Sequence, residues 1–170
     1  MLKISLCLTP LLLFATQSHS QIVNGNLEIK ATVVSGCDFE SGGGDALLDF
    51  GLLTHFEEAH RAVTAPGSGI RLICTSGQEY SVGLDGGLDP YLIQRRMTSA
   101  SSTSKIFYYL YQPDGTSYWG NDRGSNTVDG VGTGEAVEYA VNGFIAPYQW
   151  QDGPIASGNY SDTVTISIYF

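Results

Sequence analysis

The sequence predicts an all-β fold, an antiparallel sandwich of immunoglobulin-like type, and three observations predict it. Stretches in which apolar and polar residues alternate recur along the chain, and period two is the signature of a half-buried strand. Turn signals separate them at short intervals, among them Ser76-Gly77, Gly86-Gly87, Pro113-Asp114-Gly115 and Asn142-Gly143. No stretch carries the 3.6-residue period of an amphipathic helix. That removes the α/β classes, whose parallel strands need helical crossovers.

Taken in order, residues 1–20 read as an export signal. Lys3 gives a basic start, and 4–15 is an apolar run too short to span a bilayer as a helix. Ser18 and Ser20 are small residues at the minus-three and minus-one positions of a cleavage site before Gln21. An N-terminal membrane anchor is the competing reading of the same run. Cleavage would remove Cys7 and leave Cys37 and Cys74, which in an exported chain read as one disulfide worth roughly 3–4 kcal/mol. A metal site is the other use for two thiols. Against it, the pair has no C-x-x-C spacing, and His55 and His60 sit in a polar loop.

Residues 23–33 form the clearest alternating pattern. Val23, Gly25, Leu27, Ile29, Ala31 and Val33 fall on one face, and Asn24, Asn26, Glu28, Lys30 and Thr32 on the other. Fully extended, such a strand reaches roughly 36 Å. A strand at a free end either pairs within its own domain or is lent to another copy, and periodicity alone does not choose between them.

Beyond the glycine-rich loop at 41–44, residues 46–53 read as a short apolar strand and 55–69 as a polar connection. Ile70, Leu72 and Cys74 alternate with Arg71, Ile73 and Thr75. Tyr80, Val82 and Leu84 share one face of a strand over 79–85, and Ser76-Gly77 would join the two strands as a hairpin. An irregular strand over 90–97 ends in Arg95-Arg96-Met97. Residues 105–112 form an aromatic-rich strand, 117–119 a brief return, and 127–131 a short strand within a glycine-rich loop. Residues 135–145 alternate up to a turn at Asn142-Gly143, and 147–159 form another loop. The last strand, 160–170, sets Val164, Ile166, Ile168 and Phe170 on one face. Its apolar pattern runs to the final residue, and an apolar edge strand is an aggregation hazard unless something pairs with it.

Composition narrows function. After the signal, seventeen acidic residues face seven basic ones, a formal charge of about −10 (7 − 17). Such a chain repels phosphate backbones and anionic lipid, which argues against nucleic acid as a partner. About 150 residues suit one domain with a full core. There is no G-x-S-x-G, H-E-x-x-H or phosphate loop, and Asp85, Asp89, Asp122, Asp129 and Asp162 are scattered at turns. The sequence therefore predicts no enzyme and no cofactor. Arg95-Arg96 reads as a structural or surface pair rather than an anion site.

A set of short motifs adds a further expectation. Gly25 precedes the alternating stretch that leads into Gly36-Cys37. Then come Leu48-Asp49-Phe50-Gly51, Ile73-Cys74-Thr75, Leu84-Asp85-Gly86-Gly87, Arg95-Arg96-Met97, Tyr108-Tyr109-Leu110-Tyr111, Trp119-Gly120 and the run from Gly158 to Val164. In this order and spacing, the mature chain resembles the spore coat U domain family, and within it the archaic, Csu-type chaperone–usher pilins.

That resemblance implies an incomplete immunoglobulin-like sandwich, completed by a donor strand from a neighbouring subunit. Pilin donor-strand complementation is an established form of strand addition. The donor segment falls at 21–34, with Val23, Gly25, Leu27, Ile29, Ala31 and Val33 facing inward, and the pilin domain at 35–170. The acceptor groove, also the chaperone-bound strand, falls on Val164, Ile166, Ile168 and Phe170, and the family's disulfide on Cys37 and Cys74. The implied partners are other copies or related pilins in a head-to-tail polymer, a periplasmic chaperone and an outer-membrane usher. The implied product is a surface fimbrium used in adhesion and biofilm formation.

The alternative is a secreted carbohydrate-binding sandwich or a spore or outer-coat protein. Trp119, Trp150, Tyr111, Tyr118 and Tyr148 are then the residues placed to stack on sugars, against packing as their ordinary use.

Overall fold

The computed structural model describes residues 21–149 and 153–170. The proposed export signal and Trp150 lie outside the described residues. By internal contacts the chain divides into a unit ending at Thr32 and a unit from Val33 to Phe170.

In the first unit, residues 21–32 carry no strand. Their alternating apolar side chains are exposed, Leu27 to 85%, and Glu28 and Lys30 pair with each other at 2.7 Å. The strand pattern is thus present in the sequence but unused within the single chain.

The second unit is all-β, with every pairing antiparallel. Its strands are β1 (Cys37–Phe39), β2 (His60–Val63), β3 (Ile70–Cys74), β4 (Glu79–Leu84), β5 (Pro90–Tyr91), β6 (Gln94–Ser99), β7 (Lys105–Tyr111), β8 (Val128–Val131), β9 (Ala136–Tyr139), β10 (Asn142–Ile145), β11 (Tyr160–Ser161) and β12 (Ile166–Tyr169). One sheet runs β1-β3-β9, a second β11-β6-β7-β10-β2 with β5 folded onto β6, and a third β12-β4-β8.

The alternating residues meet in one core. Ile70, Leu72 and Cys74 from β3 join Tyr80, Val82 and Leu84 from β4, and Ile106, Tyr108 and Leu110 from β7. Trp119 closes the core at 1% exposure, its Nε1–H donating to the Val82 carbonyl at 2.9 Å. A buried indole needs such an acceptor. Cys37 and Cys74 are joined by a disulfide across directly opposed positions of β1 and β3.

Several predicted elements are corrected. β3 and β4 do not form a hairpin, because β3 pairs with β1 and β9 while β4 pairs with β12 and β8. Gly77, at φ 83°, turns the chain from one sheet to the next, and both its amide and the Gln78 carbonyl bond to Gly132. Residues 60–63, read as connection, form edge strand β2. Residues 46–53 carry no strand, and the final strand breaks into β11 and β12.

Asn142-Gly143 is strand rather than turn. A Cβ at Gly143 would lie 2.5 Å from Leu48 Cδ2 and 2.6 Å from Phe50 Cζ, so glycine is there because the 46–50 segment lies directly over β10.

Arg95 is 4% exposed and points inward. Its Nε donates to the Asp85 carbonyl (2.7 Å), and its Nη2 to the carbonyls of Leu84 (3.1 Å) and Trp119 (2.9 Å). The expectation of a structural role for this arginine holds, through backbone carbonyls rather than a surface ion pair. Arg96 pairs with Asp89, which also meets Lys105.

Candidate functional site

Between residues 44–50 and residues 160–166 lies a cleft of about 470 Å³. Its floor is core side chains, including Ile70, Leu84, Met97, Tyr108, Leu110 and Val141. Ala46, Leu48 and Phe50 form one wall, and Val164 and Ile166 the other. Protein interiors are otherwise packed as tightly as organic crystals, with few voids larger than a water molecule. A trough of this size bordering core side chains is therefore a notable feature of the sandwich.

The backbone on both sides suits an inserted strand. β12 pairs with β4 through Ile166↔Leu84 and Ile168↔Val82, and it stands at the edge of its sheet, leaving its other flank unpaired among the described residues. Opposite, residues 46–50 carry no strand and make a backbone bond from Leu47 N–H to the Ser68 carbonyl at 3.0 Å. An open strand edge is a template for another chain.

Tyr108 and Asp162, which line the trough, are bonded to each other and to nearby backbone. Tyr108 Oη–H donates to Asp162 Oδ2 at 2.6 Å, and Asp162 Oδ1 accepts from Leu88 N–H, also at 2.8 Å from Thr163 N–H. Burial first, and then this bond, push the Tyr108 phenol well above its usual range. Asp85, just beyond, is pulled in two directions. Burial raises its carboxyl, but bonds from Thr165 and from the Gly87 backbone outweigh that and hold it below 3.8. The trough thus joins an apolar floor to a rim that also carries Asp45, Asp49, Thr64, Ser161 and Thr163.

Of the residues expected on the acceptor strand, Val164 and Ile166 line the trough. Ile168 packs on the core outside that lining, and Phe170 is 61% exposed. The donor residues Val23, Gly25, Leu27, Ile29, Ala31 and Val33 are all exposed. The opposite wall was missed as a functional element. Its signal is present: Ala46, Leu48 and Phe50 alternate with the outward Leu47 and Asp49. Of the aromatics considered for sugar stacking, Trp119 is buried and unusable. Tyr111 and Tyr118 stack on one another at a centroid distance of 4.9 Å.

A family model described as the Spore Coat Protein U domain matches residues 23–167. The chain belongs to that family. Within it, the chain is similar to Protein U of Myxococcus xanthus, 30% identical over 163 residues, covering 90% of this chain and 88% of that protein.

Among solved structures, it is similar to a chain in the crystal structure of the CsuC–CsuE chaperone–tip adhesion subunit pre-assembly complex, from the archaic chaperone–usher Csu pili of Acinetobacter baumannii. The TM-score is 0.52 at 18% identity, over 82% of this chain. The chain spans about 41% of the length of that solved chain. At this identity the likeness is one of fold, and it agrees with the immunoglobulin-like sandwich expected of a Spore Coat Protein U domain.

Proposed function

We propose that this Spore Coat Protein U domain is a structural fibre subunit whose open trough accepts residues 21–34 of another copy. The observation that carries this is the trough itself, a cleft lined by core side chains and flanked by an edge strand and by residues 46–50, which carry no strand. The chain also carries a strand-patterned, exposed apolar segment of its own. Inserting Val23, Leu27, Ile29 and Val33 yields about 6–12 kcal/mol gross from apolar burial. Ordering the free segment offsets much of it. The small Gly25 and Ala31 are then the positions that set register. A head-to-tail contact of this kind does not close, so copies extend into a filament.

Before assembly the same trough is covered by a periplasmic chaperone, and an outer-membrane usher exchanges that cover for the next subunit's tail. The fold likeness to a chaperone–usher pre-assembly complex supports this route. Residues 1–20 direct export, and the product is a surface fimbrium serving adhesion and biofilm formation. The family's description favours one further reading, in which the same linkage builds an outer coat. Electron microscopy of surface material separates the two, as thin fibres against a continuous layer.

The test is Leu27→Asp. An unpaired carboxylate in the trough costs several kcal/mol, so the variant is exported and folded but yields no polymer on denaturing gels run without heating. A normal ladder from this variant would refute the assigned facing.

A further inference from the structure

The outward face of the β6-β7-β10-β2 sheet breaks the rule that the solvent side of an antiparallel sheet is polar. Tyr109 and Tyr111 of β7, Phe144 of β10 and Tyr118 cluster there, with Tyr118 stacked on Tyr111. Their centroids are 4.9–6.4 Å apart, and Tyr118 is inclined only 22° to Tyr111 and 37° to Tyr109. Tyr118 is 44% exposed. Gln94 Nε2–H donates to Tyr109 Oη at 2.7 Å, and the Arg61 guanidinium sits 4.6 Å from the centre of the Phe144 ring. These side chains contribute nothing to the core, which is built from the opposite face of β7 through Ile106, Tyr108 and Leu110.

The aromatic surface runs into a second cleft. Tyr118 and Gln94 also line a hollow of about 300 Å³ with Asp85, Asn121, Asp122 and Asn126. Asn121 Oδ1 accepts from Tyr169 Oη–H, and Asn126 Oδ1 accepts from Asp122 N–H, so the carbonyl is the engaged half of each amide. Arg95 also lines the hollow, but its Nε and Nη2 donate to backbone carbonyls, and nearby Arg123 lies over the Tyr169 ring at 5.3 Å. The hollow therefore offers carboxylates and carboxamides together with the exposed Leu92 and Ile93, beside the Tyr118 ring.

We propose that this surface is a binding site for a neutral glycan, separate from the trough. A sugar has an apolar face of C–H bonds and a rim of hydroxyls. The face stacks on the exposed ring of Tyr118, which Tyr111 backs, and the hydroxyls meet Asp122, Asn121, Asn126 and Gln94, which supply both donors and acceptors. Anionic sugars are disfavoured, because Asp85 and Asp122 face the hollow and the chain carries a net charge of −9. The site would place a glycan contact on every copy rather than at one end of an assembly.

The full exported chain is titrated with cellotetraose, mannotetraose, chitotetraose and tetragalacturonate, with binding followed by saturation-transfer NMR and calorimetry. At least one neutral tetrasaccharide binds, with transfer strongest to its ring C–H protons, and tetragalacturonate does not. Tyr118→Ala weakens the binding about tenfold, the factor for one lost stacking contact. Tyr118→Trp restores it, which excludes simple misfolding. Leu27→Asp leaves it unchanged, so the result stands or falls apart from that of polymer assembly. Failure of all three neutral sugars to bind would overturn the proposal, as would equal binding of tetragalacturonate. So would a concentration-dependent dimer in sedimentation that Tyr118→Ala abolishes, since the platform would then be a contact between copies.

Discussion

At the scale of single residues, the polar groups in this fold serve geometry. Arg95 shows it best, since a buried guanidinium bonded to three backbone carbonyls ties β4, the residue after it and Trp119 at one point. Burial draws its pKa down, and the bonds to carbonyls compensate for lost hydration. The tyrosines give a pH prediction. Burial, then hydrogen bonding, raises the phenols of Tyr108 and Tyr139, and raises Tyr111 to about 12. A phenol in the unfolded chain ionises near about 10. Stability linked to these groups is therefore complete below about pH 10 and is lost as pH rises from there through the folded-state values. Alkaline titration followed by phenolate absorbance and circular dichroism together should show late, cooperative ionisation coincident with unfolding. Three phenols titrating near 10 with the fold intact would contradict the burial assigned to them.

At the scale of elements, the strands that build the core were legible and the connections between them were not. Ile70, Leu72 and Cys74, and again Tyr80, Val82 and Leu84, alternate strongly because one face of each strand is fully enclosed. Partner choice leaves no such trace. Ser76-Gly77 looks the same whether it closes a hairpin or hands the chain to another sheet, which is what it does. β2 escaped notice because it is a four-residue edge strand with two exposed positions, and edge strands carry little apolar pattern. Gly143 was misread for a related reason. Its lack of a side chain serves packing beneath Leu48 and Phe50, not a turn.

That packing predicts the effect of Gly143→Val. The added methyls displace the 46–50 wall and cost about 1–3 kcal/mol of overpacking. A lowered melting temperature together with lost assembly is expected. Unchanged melting and normal polymers would mean that the wall does not depend on β10. For the candidate site, Val164 and Ile166 were legible as the continuation of a strong strand. The opposite wall was not singled out, because a wall segment that carries no strand looks in sequence like any short apolar run.

At the scale of the whole molecule, the two halves of the proposed joint lie in different states within one chain. The sandwich has a core-deep trough, and residues 21–32 display the side chains that would fill it. A chain so divided gains most of its remaining burial only in company, and its stability in an assembly depends on its neighbours as well as its own core. The aromatic cluster uses the opposite face of β7 from the one that floors the trough, so fibre formation and surface recognition should be separable by mutation.

The most direct measurement mixes two defective variants. Leu27→Asp spoils the tail and keeps the trough, while Val164→Arg spoils the trough and keeps the tail. Each alone should stay monomeric by sedimentation, and an equimolar mixture should give a one-to-one dimer that grows no further. Polymer from either variant alone, or two variants that remain monomeric when mixed, would contradict the completion of one copy's sandwich by the tail of the next.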